Sequence, residues 1–239
     1  MRAVLLVLSL AVGCGGQDSD SSGEGFFGWV QRRVQPRDPY ALDDMPRSRD
    51  PAEELECDRE SLERYEGEHV EYARALNVDP AFVERLERFE ELVHELAIET
   101  YGRGPRRVLH VGAFACRTVR GREERISEHA LGNALDVTGF SFGRWHPPET
   151  PDGVATEMGG AEAAPPEPPP ESLRRPFRVT VREHWDTDDE ADQVHRAFLR
   201  TLAGRLQEER VFRSMIGPSQ AGHAGHLHLG MPPWRYIRL

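Results

Sequence analysis

The sequence predicts an α+β domain, and three observations lead to this fold class. The first is an amphipathic helix that begins at Asp79 and Pro80, which suit the N-cap and first turn, and ends at Gly102. The second is another amphipathic helix at residues 188–207. The third is a set of short strand patterns, at residues 106–115, 134–137 and 177–181.

Apolar periodicity supports each of these elements. In the first helix, spacings of four, three, four and three form one stripe of Phe82, Leu86, Phe89, Val93 and Leu96. The second helix has one apolar face of Val194, Ala197, Phe198, Leu202 and Leu206. In the strand at 106–115 we expect alternation, with Val108, His110, Gly112 and Phe114 on one face and Leu109, Val111 and Ala113 on the other. His110 and His94 are predicted to be structural rather than ligands.

Residues 1–14 are predicted to be a targeting segment of the lipoprotein type. Arg2 precedes an apolar run of ten residues at 3–12, which is too short to span a bilayer. The following Ala11-Val-Gly-Cys14 resembles a bacterial lipobox, with Ala11 where Leu is usual, and the resemblance implies that Cys14 is lipidated. An ordinary signal peptide, or a wrongly placed start, is the alternative. Either way we expect an exported protein.

The rest of the chain divides into a tether, a domain and an insertion. Residues 15–52 form a flexible tether and N-terminal extension, rich in Ser, Asp and Gly at first and with scattered aromatic residues later. The aromatic part could pack on the domain or stay loose. The domain is predicted at 53–239 and opens with a charged, mostly helix-forming segment at 53–76. A proline-rich insertion at 146–172 interrupts it as an extended loop.

Composition limits the possible partners. The chain has 239 residues, which is enough for a sizeable core, and a formal net charge of -11. All 30 basic residues are Arg, and no basic stripe is present. Nucleic acid is therefore excluded as an expected partner.

Two short segments gather ligand-type side chains. Ser127–Asp136 contains His129 and Asp136, and the run from His223 to His228 contains three histidines. Imidazole and carboxylate together suit zinc. His226 and His228 are two apart, so on a strand both rings face one site. The alternatives are ordinary polar surface for the histidines and a satisfied buried polar group for the aspartate.

The first segment resembles a known family. Ser127-x-His129-x-x-Gly132-x-Ala134-x-Asp136 matches the pattern of D-Ala-D-Ala metallopeptidases, and the final His-x-His fits their superfamily of murein endopeptidases, lysostaphin-type enzymes and hedgehog domains. The closest resemblance is to the bacterial extensin-like C-terminal domain family. It covers roughly residues 55–145 and 176–230 and includes the motifs at 115–117, 131–140 and 211–228. It implies a hedgehog/D-Ala-D-Ala-peptidase-like fold, with a small, mainly antiparallel sheet and flanking helices.

The resemblance also implies roles for the histidines and the aspartate. His129, Asp136 and His228 would bind zinc and leave a fourth position for water, which is the pattern of a catalytic site. His226 would act as a general base or as an acid that stabilises an oxyanion. His223 would contact substrate or support a ligand.

Other residues follow or depart from the family pattern. Ser127 would also contact substrate or support a ligand. Arg117 would reach into the site and bind a carboxylate or stabilise an oxyanion, with a surface salt bridge as the alternative. The family usually has Asp at the positions of Gly225 and Gly230, and their loss could leave the histidines poorly oriented.

Two cysteines remain besides Cys14. In an exported protein Cys57 and Cys116 suggest a disulfide, with two unpaired thiols as the alternative. In the resembling family the cysteine at the position of Cys116 usually pairs with a later one. This chain has no later cysteine, so Cys57 is the local substitute.

Together these expectations define a function. The resemblance implies a zinc metallopeptidase of the murein endopeptidase or D,D-carboxypeptidase type, acting on peptidoglycan in the periplasm and anchored to the outer membrane through Cys14. The rivals are a catalytically silent, zinc-stabilised domain that binds cell wall, and a structural envelope lipoprotein without metal. Glu183-His184-Trp185 resembles a closing motif of the peptidases in the wrong order, so we expect Trp185 to pack in the core.

Overall fold

The computed structural model describes residues 39–147 and 168–239. The predicted targeting segment with Cys14, the tether up to residue 38, and residues 148–167 of the proline-rich insertion lie outside the described residues. The described residues from Tyr40 to Leu239 form one compact unit. None of the helices that the structure describes has the length and hydrophobicity of a membrane span.

The α+β class is confirmed, with helices and strands interspersed along the chain. The helices are α1 Pro80–Tyr101, α2 Glu171–Arg174, α3 Val181–His184 and α4 Gln193–Glu208, and two 3₁₀ helices span Glu128–Leu131 and Glu190–Asp192. The first six strands are β1 Glu63–Tyr65, β2 Glu71–Tyr72, β3 Leu76–Val78, β4 Arg107–Gly112, β5 Thr118–Val119 and β6 Arg122–Ile126. The others are β7 Ala134–Phe142, β8 Phe177–Thr180, β9 Ser214–Ile216, β10 Leu227–Gly230 and β11 Tyr236–Arg238.

A seven-stranded sheet forms the centre of the domain, in the order β11-β9-β10-β7-β4-β2, with β8 also paired to β7. Its nine-residue strand β7 pairs antiparallel with β4, β8 and β10. Only the outer pairs β11–β9 and β2–β4 are parallel. Because β7 is held by three neighbours, it is a rigid element on which to place a functional side chain.

The two long helices pack against the sheet and against each other. The predicted stripe of α1 is buried, and its five members are at most 4% exposed. Helix α1 begins at the Asp79 cap, whose side chain accepts from the Ala81 N–H, and ends at Gly102 in the left-handed region at φ 67°. Phe140 of β7 contacts Phe89 of α1 and Phe198 of α4, which joins the helices to the sheet in one core.

The prediction of helix at residues 53–76 is wrong. This segment contains turns and the short strands β1, β2 and β3. Glu90 of α1 is fully buried, and its carboxylate accepts the backbone N–H groups of Glu68, His69 and Val70 and the hydroxyl of Tyr65. These tertiary hydrogen bonds hold the chain in a turn and override the helix propensity of its charged residues.

The predicted alternation along residues 106–115 is also wrong in its second half. Strand β4 ends at Gly112, and its register against β7 shifts between Leu109 and His110 and again between His110 and Gly112. A bulge changes the face that later side chains present. Val111 is 61% exposed and Ala113 is 2% exposed, although the two were predicted to lie on one face. His110 has the structural role that we expected, since its Nε2 lies 3.0 Å from the Arg74 carbonyl.

The compact unit begins earlier than residue 53. Tyr40 and Arg47 are 9% and 8% exposed, and Ser48 forms a β-bridge with Arg125. Residues 40–48, for which the sequence allowed both a packed and a loose arrangement, are therefore packed on the domain.

Cys57 and Cys116 form a disulfide, the pairing expected above, with their Cα atoms 5.8 Å apart. It joins the segment before β1 to the loop after β4 and closes a sequence separation of 59 residues. A crosslink of this kind contributes about 2–4 kcal/mol to the free energy of unfolding. The disulfide therefore anchors the segment before β1, which contains no helix.

Candidate metal centre

Two paired strands bring the aspartate and one histidine together. In the antiparallel register of β10 against β7, His228 lies directly opposite Asp136. Directly opposed residues in such a pair have Cβ atoms about 5 Å apart, so their side chains meet on one face. Leu135 and Val137 on either side of Asp136 are buried, as predicted, and fix the strand that carries it.

A short 3₁₀ helix, Glu128–Leu131, supplies the second histidine. Its N-cap is Ser127, whose hydroxyl accepts from the His129 N–H at 3.3 Å, and its C-cap is Gly132 in the left-handed region at φ 63°. A Cβ at Gly132 would lie 2.6 Å from Leu62 and 2.7 Å from the Asp79 nitrogen. Ser127 and Gly132 thus set the position of His129.

A buried polar network braces this helix from behind. Glu128 pairs with Arg47 at 3.0 Å and accepts from the Asn133 amide. The same amide donates to the Met231 carbonyl at 2.9 Å, and the Tyr40 hydroxyl donates to Asn133 Oδ1 at 2.6 Å. The packed residues 40–47 therefore help to hold the turn that presents His129.

Three ligand atoms converge where these elements meet. His129 Nε2, Asp136 Oδ1 and His228 Nδ1 lie 3.0–3.2 Å from one another. Two atoms bonded to the same tetrahedral zinc at about 2.0–2.1 Å are about 3.3 Å apart. The three residues therefore form a group that could hold a metal ion, with little rearrangement.

The hydrogen bond on the far side of His129 fixes the form of its ring. Nδ1 lies 2.7 Å from the Ala113 carbonyl, which can only accept, so Nδ1 carries the proton in the neutral ring. Nε2 therefore turns a lone pair towards the other two ligand atoms. A hydrogen bond from the far nitrogen to a backbone carbonyl is a usual support for a histidine that binds metal, so His129 needs no carboxylate partner.

Charge in the cluster also favours a cation. Burial alone would raise the pKa of Asp136, but the neighbouring rings of His129 and His228 outweigh it and hold the pKa well below its usual range. Burial lowers the pKa of His228 and favours its neutral form. A carboxylate and two imidazoles, which offer lone pairs when neutral, form a partly buried ligand set that suits a divalent ion such as zinc.

His226 lies beside the three ligand atoms. Its Nε2 is 3.7 Å from Asp136 Oδ1, and its ring is on the same side as that of His228, while Leu227 and Leu229 are buried on the other, as predicted. Burial lowers the pKa of His226, although the Asp136 charge opposes this. The neutral ring can accept a proton. The ring of His223 is 4.8 Å from that of His226, further from the cluster.

Arg117 is placed differently from the expectation. Its backbone carbonyl accepts from the Ser127 N–H, which puts the residue next to the 3₁₀ helix. Its side chain is exposed, and the guanidinium donates to the Thr118 carbonyl rather than to a member of the cluster. In this structure Arg117 is a neighbour of the site, not a part of it.

An open cleft of about 290 Å³ adjoins His226 and contains Arg182, which was not among the predicted site residues. Thr138, Arg182 and Glu183 line this cleft. A Cβ at Gly225 would lie 2.9 Å from the Arg182 guanidinium, so the missing side chain at Gly225 gives Arg182 room. No local signal in the sequence marks Arg182, because it meets Gly225 only in the folded domain. Trp185, three residues later, is buried as predicted.

The fold and site define the protein as an α+β domain with a two-histidine, one-aspartate group that could hold a metal ion. Residues 37–146 match the model of the family described as extensin-like protein C-terminus, and this match supports the extensin-like resemblance for somewhat less than half of the chain. It includes His129 and Asp136 and ends before His226 and His228. No curated protein and no solved structure matches the chain.

Proposed function

We propose that the protein is a zinc-dependent peptidase that hydrolyses peptidoglycan stem peptides or their cross-links. The observation that carries the proposal is the convergence of His129 Nε2, Asp136 Oδ1 and His228 Nδ1 within 3.2 Å of one another. Three protein ligands leave a coordination position open, which is typical of catalytic rather than structural zinc.

Bound zinc would supply a water whose pKa is lowered to about 7 and would polarise a peptide carbonyl. The chain supplies the proton handling. His226 is neutral when its pKa is lowered by burial, and its Nε2 faces the cluster. It can take the proton of the attacking water and return it to the leaving amine. The carbonyl of Ala113 keeps His129 in the tautomer that binds metal.

The cleft beside His226 provides a place for an acidic substrate. Among the residues that the structure describes, no carboxylate lies within ion-pair distance of the Arg182 guanidinium. A guanidinium without a partner in a cleft can bind a carboxylate through two parallel hydrogen bonds. Peptidoglycan stem peptides carry such carboxylates, at their C-termini and on acidic side chains. We assign Arg182 to substrate binding.

Replacing Arg182 by Gln is expected to raise KM for a stem peptide by roughly 10–100-fold, since a hydrogen bond to a charged group contributes about 1.5–3 kcal/mol. Zinc content and kcat should change little, because Arg182 contacts none of the three ligands. Arg178→Gln, an exposed residue of β8, is the matched control and should keep the KM of the unchanged protein. Equal KM values for the two variants would remove Arg182 from the substrate site.

Digestion of purified muropeptides tests the proposed function. Products would be separated by chromatography and identified by mass spectrometry. We expect hydrolysis of a peptide bond by zinc-loaded protein, no hydrolysis after chelation, and recovery when zinc is restored. If zinc binds and stabilises the fold but no muropeptide is cut, the protein is the silent wall-binding domain, for which the missing carboxylates at Gly225 and Gly230 are the favouring observation. If no zinc binds, it is a structural envelope protein.

The proposal includes export and anchoring to the outer membrane through Cys14. It is supported by the apolar run and the lipobox-like residues before Cys14. Cys14→Ser is expected to release the protein from membranes and to remove the mass of the lipid. The same membrane distribution and mature mass in both proteins would exclude lipidation at this position.

A further inference from the structure

A second group of ligand-type side chains lies outside the centre described above. His184 is the last residue of α3, Asp192 ends the second 3₁₀ helix, and His195 is in the first turn of α4. One ligand atom from each lies within 4.8 Å of the others. The two histidines are each 7% exposed, whereas the Asp192 side chain is 37% exposed, so the group is buried on one side and open to solvent on the other.

Both imidazoles are held through their Nδ1 atoms. His184 Nδ1 lies 3.0 Å from the Thr180 nitrogen and 3.1 Å from the Thr180 oxygen. His195 Nδ1 lies 3.0 Å from the hydroxyl of Tyr101, and Phe177 stacks on the ring with a centroid distance of 5.1 Å. Each ring is therefore fixed in direction. The Thr180 N–H can only donate and the Thr180 carbonyl can only accept, so His184 Nδ1 bonds one of them at a time. When it donates to the carbonyl, Nε2 has the lone pair that a metal ligand needs.

The three side chains of this group lie too far apart to satisfy one another's ligand atoms with hydrogen bonds. His184 Nε2 is 3.9 Å from Asp192 Oδ1, which is beyond a hydrogen bond, and the two ring centroids are 5.0 Å apart. Ligand atoms around one tetrahedral ion are about 3.3 Å apart, so a small inward rotation of the half-exposed Asp192 would complete the geometry. The open side gives an ion a path of entry.

We propose that His184, Asp192 and His195 bind a second divalent transition-metal ion of the zinc class. Two imidazoles and one carboxylate match the ligand preferences of such an ion and not those of calcium or magnesium, which take oxygen ligands. The ion clamps α3 to the start of α4. Because α3 also carries Arg182 and Glu183, the ion stiffens one wall of the cleft beside His226.

Zinc counting on the full-length protein tests this site separately from the first. Protein stripped by a chelator would be equilibrated with excess Zn²⁺, dialysed and measured by elemental mass spectrometry. We expect two zinc ions per chain in the unchanged protein. Asp192→Asn, a nearly isosteric change on the exposed side, should bind one, and so should His195→Gln. Asp188→Asn is the matched control, since Asp188 is fully exposed and four residues away, and it should bind two.

The outcomes separate the two centres. His228→Gln should also bind one zinc, and the double variant Asp192→Asn with His228→Gln should bind none. If Asp192→Asn and His195→Gln keep the zinc count of the unchanged protein while folded by circular dichroism, the second site does not exist. A single ion lost only in His228→Gln overturns the second site and leaves the proposed function standing. If the protein binds a single ion and only Asp192→Asn loses it, the second site stands and the proposed function is overturned.

Discussion

Replacement of His228 by Ala is expected to empty the metal centre and to abolish hydrolysis. His228 Nδ1 lies 3.0 Å from Asp136 Oδ1 and 3.1 Å from His129 Nε2, so the change removes one of three ligand atoms from a compact triangle. Two remaining ligands bind zinc too weakly to retain it through purification. Because metal binding is coupled to folding, the thermal midpoint of the zinc-equilibrated protein should fall as well.

His226 provides the matched control, because it is the same residue type two positions away on the same side. Its Nε2 is 3.7 Å from Asp136 Oδ1, outside the triangle of ligand atoms. His226→Ala should therefore keep the zinc of the centre and the thermal midpoint. Its turnover should fall by roughly 10²–10⁴-fold, the usual contribution of a general acid–base group. Elemental analysis and muropeptide cleavage, measured on both variants, give the comparison.

A reversed result would be equally clear. If His226→Ala loses the zinc of the centre and His228→Ala retains it, the ligand and the base have been exchanged in our assignment. If both variants keep zinc and an existing activity is unchanged, the active site lies elsewhere in the chain.

Replacement of Glu90 by Ala should be the most destabilising change away from the metal centre. The carboxylate is fully buried and accepts three backbone N–H groups and the Tyr65 hydroxyl. A buried donor left without an acceptor costs about 1–3 kcal/mol, and of the four donors that of Val70 is buried and the others are partly buried, so we expect a loss of about 3 kcal/mol in the free energy of unfolding. Urea unfolding followed by circular dichroism measures it.

Two further variants of α1 give this prediction its controls. In Glu90→Gln the amide oxygen can accept the N–H groups while the amide nitrogen donates to Tyr65, so the loss should be clearly smaller than for Ala. Glu95 is exposed on the same helix, and Glu95→Ala should leave the unfolding midpoint almost unchanged. An unfolding midpoint for Glu90→Ala close to that of Glu95→Ala would show that the turn at residues 67–70 does not depend on this carboxylate.

Local signals predicted most of the scaffold of the centre. The apolar stripe of α1 and its Asp79 cap, the strand around Asp136 and the turn at Gly132 are all set by neighbours in sequence. The two-residue spacing of His226 and His228 predicted a shared side, and both rings lie near Asp136, with His226 one residue before the start of β10.

Features that depend on distant partners could not be predicted in this way. Residues 53–76 have helix-forming composition, and only the buried Glu90 of α1 accounts for their turns and short strands. The second group likewise has no local signature, because Asp192 and His195 meet His184 only when α4 packs beside α3. The proposal that Arg182 binds substrate rests on its place in the cleft next to Gly225, which is far away in sequence.

Anomalous X-ray diffraction from crystals of the zinc-loaded protein, recorded on both sides of the zinc absorption edge, tests the central claim most directly. We predict an anomalous peak bonded at about 2.0–2.2 Å to His129 Nε2, Asp136 Oδ1 and His228 Nδ1, with the fourth position open to the cleft beside His226. A map without a peak between these three atoms, or with His226 in place of His228 as a ligand, would contradict the account.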